Sequence, residues 1–253
     1  MLFKKERSEE IILIVQARIG STRLPAKVLR DLCGKPLVQR VLERVKNSTL
    51  VDRFILAIPD TLENNVLSDF ADSNSFLLSR GAEEDVLDRL YQAALNQRDD
   101  RHDNFSIIRV CADNPFVDPG EIDRLIKFFR EGDFDYAFNH IPALGNMYPN
   151  GLGAEAMKFS VLKYLWRETK DLAHREHVTK YIWHHIERFK VGILKCPPEI
   201  AYPEIKLDID TKEDFNRLEM LYKRLIEKKG ERIFRAAEIV DETRSFSGAK
   251  TKV

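Results

Sequence analysis

The chain is poor in residues that would staple it, anchor it or bias its charge. Only three cysteines occur in 253 residues, Cys33, Cys111 and Cys196, and no two form a C-x-x-C pair. So sparse and odd a set excludes a disulfide framework and gives no thiolate zinc site; free thiols suit a reducing cytoplasm, where the protein is expected. The apolar stretch Ile11–Val15, behind a charged lead over residues 1–10, is far too short to cross a bilayer, so no membrane partner is expected. Charge of one sign is also lacking. With 41 basic and 41 acidic side chains, the chain has no overall electrostatic footprint for nucleic acid or anionic lipid. There is no internal repeat and no low-complexity segment. Neither a Walker A sequence nor G-x-G-x-x-G is present, so the ordinary P-loop and dinucleotide readings fail.

What is present is a normal apolar content and a regular rhythm. Hydrophobic residues make up 43 %, enough for one substantial core and too much for a disordered chain. Short apolar runs predict strands at 11–17, 54–58, 75–79, 105–112 and 133–139. Between them, helices are predicted from Pro36, from a Thr61 cap, over 85–97 and over 119–131. Strict alternation with short connections predicts an α/β, Rossmann-like three-layer fold, with a mostly parallel sheet and helices on both faces. After Pro142 the rhythm loosens into a loop over 144–152, helices over 160–170 and 173–187, strands over 189–195 and 204–210, and a long helix over 211–229. We therefore expect one domain over 11–229, with 142–200 assigned to an acceptor or to a dimer contact. A helical tail over 230–253 is expected to fray from Ser245.

In such a sheet, ligands bind beyond the carboxyl ends of the strands. The first strand runs directly into Gln16-Ala17-Arg18-Ile19-Gly20-Ser21-Thr22-Arg23-Leu24-Pro25-Ala26-Lys27. Three cations around small residues on a strand-to-helix loop suit a polyphosphate, because the backbone N–H groups can approach it. The same composition also describes a plain solvated basic loop. Asp113 follows the fourth strand at an Asn114-Pro115 turn, while Asp208 and Asp210 share one face of an extended run ending at a Thr211/Asp214 capping box. Magnesium takes one or two carboxylates plus phosphate oxygens and water, which Asp113, Asp210 and Asp208 could supply. Each alone reads equally as a turn or loop carboxylate.

The loop resembles the nucleotide-binding signature of the cytidylyltransferases of acidic-sugar activation, the family of CMP-KDO synthetase. It is closer still to the branch named for spore-coat polysaccharide biosynthesis protein F. The resemblance implies a Rossmann-like fold, CTP as substrate, a divalent metal (Mg2+ or Mn2+) and nucleotide contacts at Arg18, Ser21, Arg23 and Lys27. Gln16 stands where the KDO enzymes carry proline, and Ala26 where glycine is usual. Ala17 and Gly20 complete the nucleotide loop. Ala-Asp113-Asn-Pro and Asp208-Ile-Asp210-Thr look like family motifs supplying metal ligands. Arg80-Gly81-Ala-Glu-Glu-Asp85-Val-Leu-Asp-Arg89 resembles a family block near the nucleotide, although Asp85 could serve only as a helix cap.

Further along, Asn150-Gly-Leu-Gly-Ala-Glu155 resembles a segment whose acidic residue faces the acceptor; the alternative is an exposed glutamate on an edge strand. His174-Arg-Glu-His177-Val-Thr matches another family block, which implies either a polar face near the acceptor, with His177 as a substrate contact, or a subunit contact. With His184 and His185 these histidines raise a zinc site, but no cysteine and no H-E-x-x-H pattern accompanies them. The implied reaction moves CMP from CTP to an acidic sugar or phosphorylated acceptor, in surface polysaccharide or glycoconjugate biosynthesis. Arg18, Lys27, Asp113 and Asp210 would carry the catalysis, and relatives that dimerise imply a homodimer. Two other readings stay open: a sugar-1-phosphate nucleotidylyltransferase using another NTP, and a non-catalytic nucleotide-binding subunit.

Overall fold

The first strand explains the architecture. In β1 (Glu10–Gln16) Ile11, Leu13 and Val15 enter one apolar cluster, while Ile12 and Ile14 enter another. A strand covered on both faces needs helices on both sides. The structure, a computed structural model, describes residues 9–96 and 104–249. Chain order continues through α1 (Leu37–Val45), β2 (Arg53–Pro59), α2 (Val66–Ser73), β3 (Leu77–Gly81), α3 (Val86–Asn96) and β4 (Phe105–Cys111). Then come α4 (Pro119–Gly132), β5 (Tyr136–Phe138), β6 (Glu155–Lys158), α5 (Phe159–Glu168), α6 (Leu172–Glu176) and α7 (Lys180–His184). β7 (Val191–Ile193), α8 (Lys212–Lys229) and α9 (Ala236–Ala249) complete it.

The sheet order is β3-β2-β1-β4-β6-β5-β7. β6 runs antiparallel to β4 and β5, and the other pairings are parallel. Buried residues of α1, α2, α4, α8 and α9 pack on one face; those of α3, α5 and α7 pack on the other. This is the predicted three-layer, mostly parallel, Rossmann-like α/β fold. Local signals placed its ends correctly. Asp118 caps α4, accepting from the N–H of Gly120 and Glu121, with Pro119 in the first turn. Thr211 and Asp214 form the reciprocal box that starts α8.

Several predicted elements change. Residues 204–210 do not form a strand: Ile205, Leu207 and Ile209 are buried in alternation, but their backbone bonds run to loops. The Ile205 carbonyl accepts from Asn150, Leu207 donates to Asn150, and Ile209 donates to Asp113. The helix predicted over 173–187 breaks into α6, α7 and a 3-10 turn, because His177 leaves helical dihedrals (φ −105°, ψ 76°). The helix predicted from Thr61 opens instead as a 3-10 turn, Leu62–Asn65. The tail helix starts only at Ala236, whose N–H donates to Asp118, and continues to Ala249, past the expected fraying point at Ser245. The short antiparallel β6 was not anticipated. Residues 1–8 of the charged lead, the end of the third helix at Gln97 and residues 250–253 lie outside the described residues. Among the described residues, no helix is long and apolar enough to cross a membrane.

Between β5 and β6 the chain makes a loop pinned at its base. Asn139 N donates to the Ala154 carbonyl at 3.1 Å, Ala154 N to Asn139 Oδ1 at 2.9 Å, and Gly151 N to the His140 carbonyl at 2.8 Å. Gly151 sits at φ +87°, and a Cβ there would come within 2.8 Å of the Leu207–Asp208 backbone, so glycine allows the two segments to touch. Leu144 and Met147 are exposed at the loop's tip.

Candidate active site

At the carboxyl edge of β1 and β4 lies a cavity of about 300 Å³. Its walls include Gln16, Ala17, Arg18, Gly20, Ser21, Arg23 and Lys27 from the first loop, Val86 and Arg89 from α3, and Arg109, Cys111 and Asp113 from β4 and its exit. Glu176, His177 and Asp210 close it.

The first loop is held from outside. Ile19 N donates at 2.9 Å to Oδ1 of Asn64, a fully buried side chain. Ala26 N closes back on the Ile19 carbonyl, and Leu24 N reaches Ser21 Oγ. Among the described residues no protein acceptor takes the N–H of Gly20, Ser21, Thr22 or Arg23. Four consecutive donors beside Arg18, Arg23 and Lys27 are an arrangement that suits an anion. Ala26 adopts left-handed dihedrals (φ 51°, ψ 31°) to turn Lys27 into the 3-10 turn that follows. That conformation costs a non-glycine residue about 1–2 kcal/mol. Ala26→Gly should therefore raise stability by up to about 1 kcal/mol, the gain being reduced by glycine's freer unfolded chain. A denaturation midpoint lower than that of the parent would contradict this.

Lys27 is the hub of the carboxylates. Its Nζ donates to Asp113 Oδ2 and to the Ile209 carbonyl, both at 2.7 Å, and lies 3.8 Å from Asp210 Oδ1. Arg23 Nη2 donates to Asp210 Oδ1 at 2.8 Å. Asp113 and Asp210, 97 positions apart in sequence, thus converge on one ammonium group. Asp208 does not line this cavity. It accepts from Asn150 Nδ2 at 2.8 Å and lies 3.7 Å from Lys206, and burial raises its pKa. Among the described residues no group of three or more His, Cys, Asp or Glu side chains is placed to hold a metal ion. Two carboxylates remain, and two are what magnesium takes when phosphate oxygens and water fill its other positions.

The cations crowd one another. Burial, then the charges of Arg18 and Arg109, lower the Arg89 pKa to about 10, so it stays protonated at neutral pH. An anion in the cavity would relieve that repulsion. Cys111 on the floor is pushed up to about 12 by burial and is a neutral thiol, unsuited to nucleophilic work.

Glu155 is not the exposed edge residue that one reading allowed. It is buried at the start of β6, bonded to Arg109, and accepts from Tyr136 Oη at 2.7 Å and Thr179 Oγ1 at 2.8 Å. Burial opposes its ionisation, but Arg109 and these hydroxyls outweigh it and hold its pKa to about 2. A depressed folded-state pKa contributes stability that is fully present above the ordinary value near 4.5 and lost as pH falls toward 2. Glu155→Ala should cost about 3–5 kcal/mol, because it strands the buried Arg109 charge. In melts of parent and Glu155→Gln, the gap in Tm should narrow between pH 4.5 and 2; a constant gap would refute the ionised pairing.

The other sequence-derived residues divide. Arg89 and His177 line the cavity. Arg80 instead donates to Ser68 Oγ at 2.7 Å and lies 3.6 Å from Asp60. Asp85 accepts from Asp88 N in the first turn of α3 and from Arg175 Nε at 2.6 Å, so here it is a cap and a tie to α6. His174 Nε2 meets His184 Nδ1 at 3.0 Å, and neither residue is among those lining the cavity. Four residues escaped sequence reasoning: Asn64, Arg109, Asn150 and Glu176, the last of which lies 3.9 Å from Arg18. Arg109 left one signal, a lone cation inside the apolar run of β4.

A sequence profile described as Cytidylyltransferase matches residues 12–240. Spore coat polysaccharide biosynthesis protein SpsF of Bacillus subtilis is 34% identical over 230 residues, 88% of this chain and 89% of that one. A cytidylyltransferase from Leptospira borgpetersenii superposes with TM-score 0.83 at 22% identity, covering 97% of this chain and 98% of that one. A CMP-2-keto-3-deoxy-manno-octonic acid synthetase solved with CTP superposes with TM-score 0.63 at 17% identity, covering 85% and 99%. The profile match spans most of the cavity-bearing chain, from β1 into α9, so this protein belongs to the cytidylyltransferase family and is a nucleotidyltransferase.

Proposed function

We propose that the protein transfers CMP from CTP to an acidic sugar or a phosphorylated acceptor, releasing pyrophosphate, in surface polysaccharide or glycoconjugate biosynthesis. The observation that carries this reading is the convergence of Lys27 and Arg23 with Asp113 and Asp210 beside four available backbone donors. The relatives named above support the nucleotide and the type of pathway.

An acceptor oxygen attacks the α-phosphorus of CTP; the new P–O bond forms as the bond to the pyrophosphate oxygen breaks. The difficulty is one of alignment and charge, and no covalent enzyme intermediate is needed. Gly20–Arg23 N–H groups with Arg18 and Arg23 hold the β- and γ-phosphates and stabilise charge growing on the leaving pyrophosphate. Lys27 holds the α-phosphate. Asp113 and Asp210 would hold a magnesium or manganese ion, which when bound neutralises phosphate charge and orients the reacting oxygens. His177, which also lines the cavity, would meet the acceptor.

The test is pyrophosphate release with CTP, UTP, GTP and ATP, each against a panel of acidic sugars and phosphorylated alcohols. Turnover should require CTP and one acceptor class. Turnover with another NTP and a sugar 1-phosphate would replace this reading. Tight CTP binding with no turnover across the panel would point to a non-catalytic subunit.

A further inference from the structure

The cavity floor contains a glutamine whose amide orientation is dictated. Gln16 ends β1 opposite Cys111, and Ile14 pairs with Arg109 two residues below, on the same face. Arg109 Nε donates to Gln16 Oε1 at 2.8 Å. A guanidinium offers only donors, so the atom facing it must be the amide oxygen, and Nε2 must point elsewhere. Arg109 cannot swing aside, because it is bonded to Glu155, itself fixed by Tyr136 and Thr179. A free glutamine amide can flip and present either a donor or an acceptor; one tied in this way presents only N–H.

Given the CTP-binding reading above, we infer that Gln16 selects the nucleobase by donating to N3 of cytosine, with Arg109 and Glu155 as positioning residues that keep its amide from flipping. The cavity's lining supports this. Gln16 lines the cavity with the apolar side chains of Ala17 and Val86, which suit a flat ring, and with the cations Arg18, Arg23 and Lys27, which suit phosphates. Cytosine presents two acceptors, N3 and O2. Uracil keeps O2 but carries N3–H, so a donor fixed on the N3 position would meet a donor and leave both unsatisfied. A glutamine free to turn would read both bases.

The experiment is calorimetric binding of CTP and of UTP, with magnesium, to the parent protein, Gln16→Glu and Glu155→Gln. The parent should prefer CTP at least about tenfold, the scale of one mismatched buried hydrogen bond. Gln16→Glu keeps the acceptor facing Arg109 but replaces the donor with a second acceptor. Its negative charge weakens both triphosphates alike, so the ratio is the readout, and the CTP:UTP preference should fall about tenfold or more. Glu155→Gln should weaken CTP while leaving UTP unchanged or tighter, a split that simple loss of stability would not produce. If Glu155→Gln fails to fold, Gln16→Glu still decides the matter. An unchanged ratio in Gln16→Glu, or a parent that binds both nucleotides equally, overturns the inference while the CTP-binding reading stands. A parent that binds neither nucleotide overturns both. An unchanged nucleotide ratio with a weakened acceptor would place the amide in the acceptor site instead, and also overturns the inference.

Discussion

Asp210→Asn is expected to lower CTP-dependent pyrophosphate release by about 10³-fold or more while leaving the melting temperature nearly unchanged. The amide keeps the shape and one oxygen, so Arg23 retains an acceptor at the position it now reaches at 2.8 Å. The structural work around it is done by neighbours: Ile209 is buried and Thr211 with Asp214 starts α8. What disappears is the negative charge that, with Asp113, would hold a divalent cation. Asp113→Asn should behave alike. The two losses should not multiply, because both carboxylates serve one ion and one ammonium. Normal turnover in Asp210→Asn, with the parent's dependence on metal, would show that the assigned carboxylate pair is wrong.

Lys27→Met should be the second severe change, costing about 10²–10⁴-fold in kcat/KM and raising the Kd for CTP. The methionine keeps most of the stem's bulk, but the ammonium holds Asp113, the Ile209 carbonyl and the vicinity of Asp210 together. Without it, the Asp113 and Asp210 carboxylates lose the cation they share and would repel an incoming triphosphate. Arginine should rescue poorly: its planar fork cannot place a point charge 2.7 Å from both Asp113 and Ile209. Rapid-quench and binding measurements would separate the two effects. CTP bound by Lys27→Met with the parent's affinity would refute the role.

Much of this site was readable before any coordinates because its signals are local. The run Ile11–Val15 reads as a strand covered on both faces, which it is, and the small, basic loop after it lines the cavity at that strand's end. Asp113 and Asp210 were legible because Asn114-Pro115 and the Thr211 cap mark where their segments stop. The failures have physical causes too. The stretch 204–210 alternates as a strand does, yet finds its backbone partners on the Asn150 and Asp113 loops, a tertiary choice invisible to period. Val178 and Thr179 sit in a helical pattern, but His177 leaves helical dihedrals and Thr179 bonds Glu155, so the helix breaks there. β6 is four residues long and carries almost no periodic signal. Arg109 and Asn64 act through partners distant in the chain, Glu155 and the Ile19 backbone, and no spacing rule reaches that far.

The pinned loop between β5 and β6 has a consequence for how such proteins diverge. Its stem is fastened by Asn139, His140 and Ala154, and its flank by Asn150 against Ile205 and Leu207. Within the loop Asn146 and Tyr148 are buried, Asn146 accepting from Cys196 N and Tyr148 donating to Glu121. The open arc is therefore the exposed tip at Leu144 and Gly145, and doubling the length of a flexible arc adds only about 0.6 kcal/mol of closure entropy. Insertions between Leu144 and Gly145 thus leave the Asn146 and Tyr148 anchors, the Asp208–Asp210 segment and the entry to β6 where they are. Natural selection can rewrite this arc at almost no thermodynamic expense, and lineages should differ there in length long before they differ at Lys27 or Asp113.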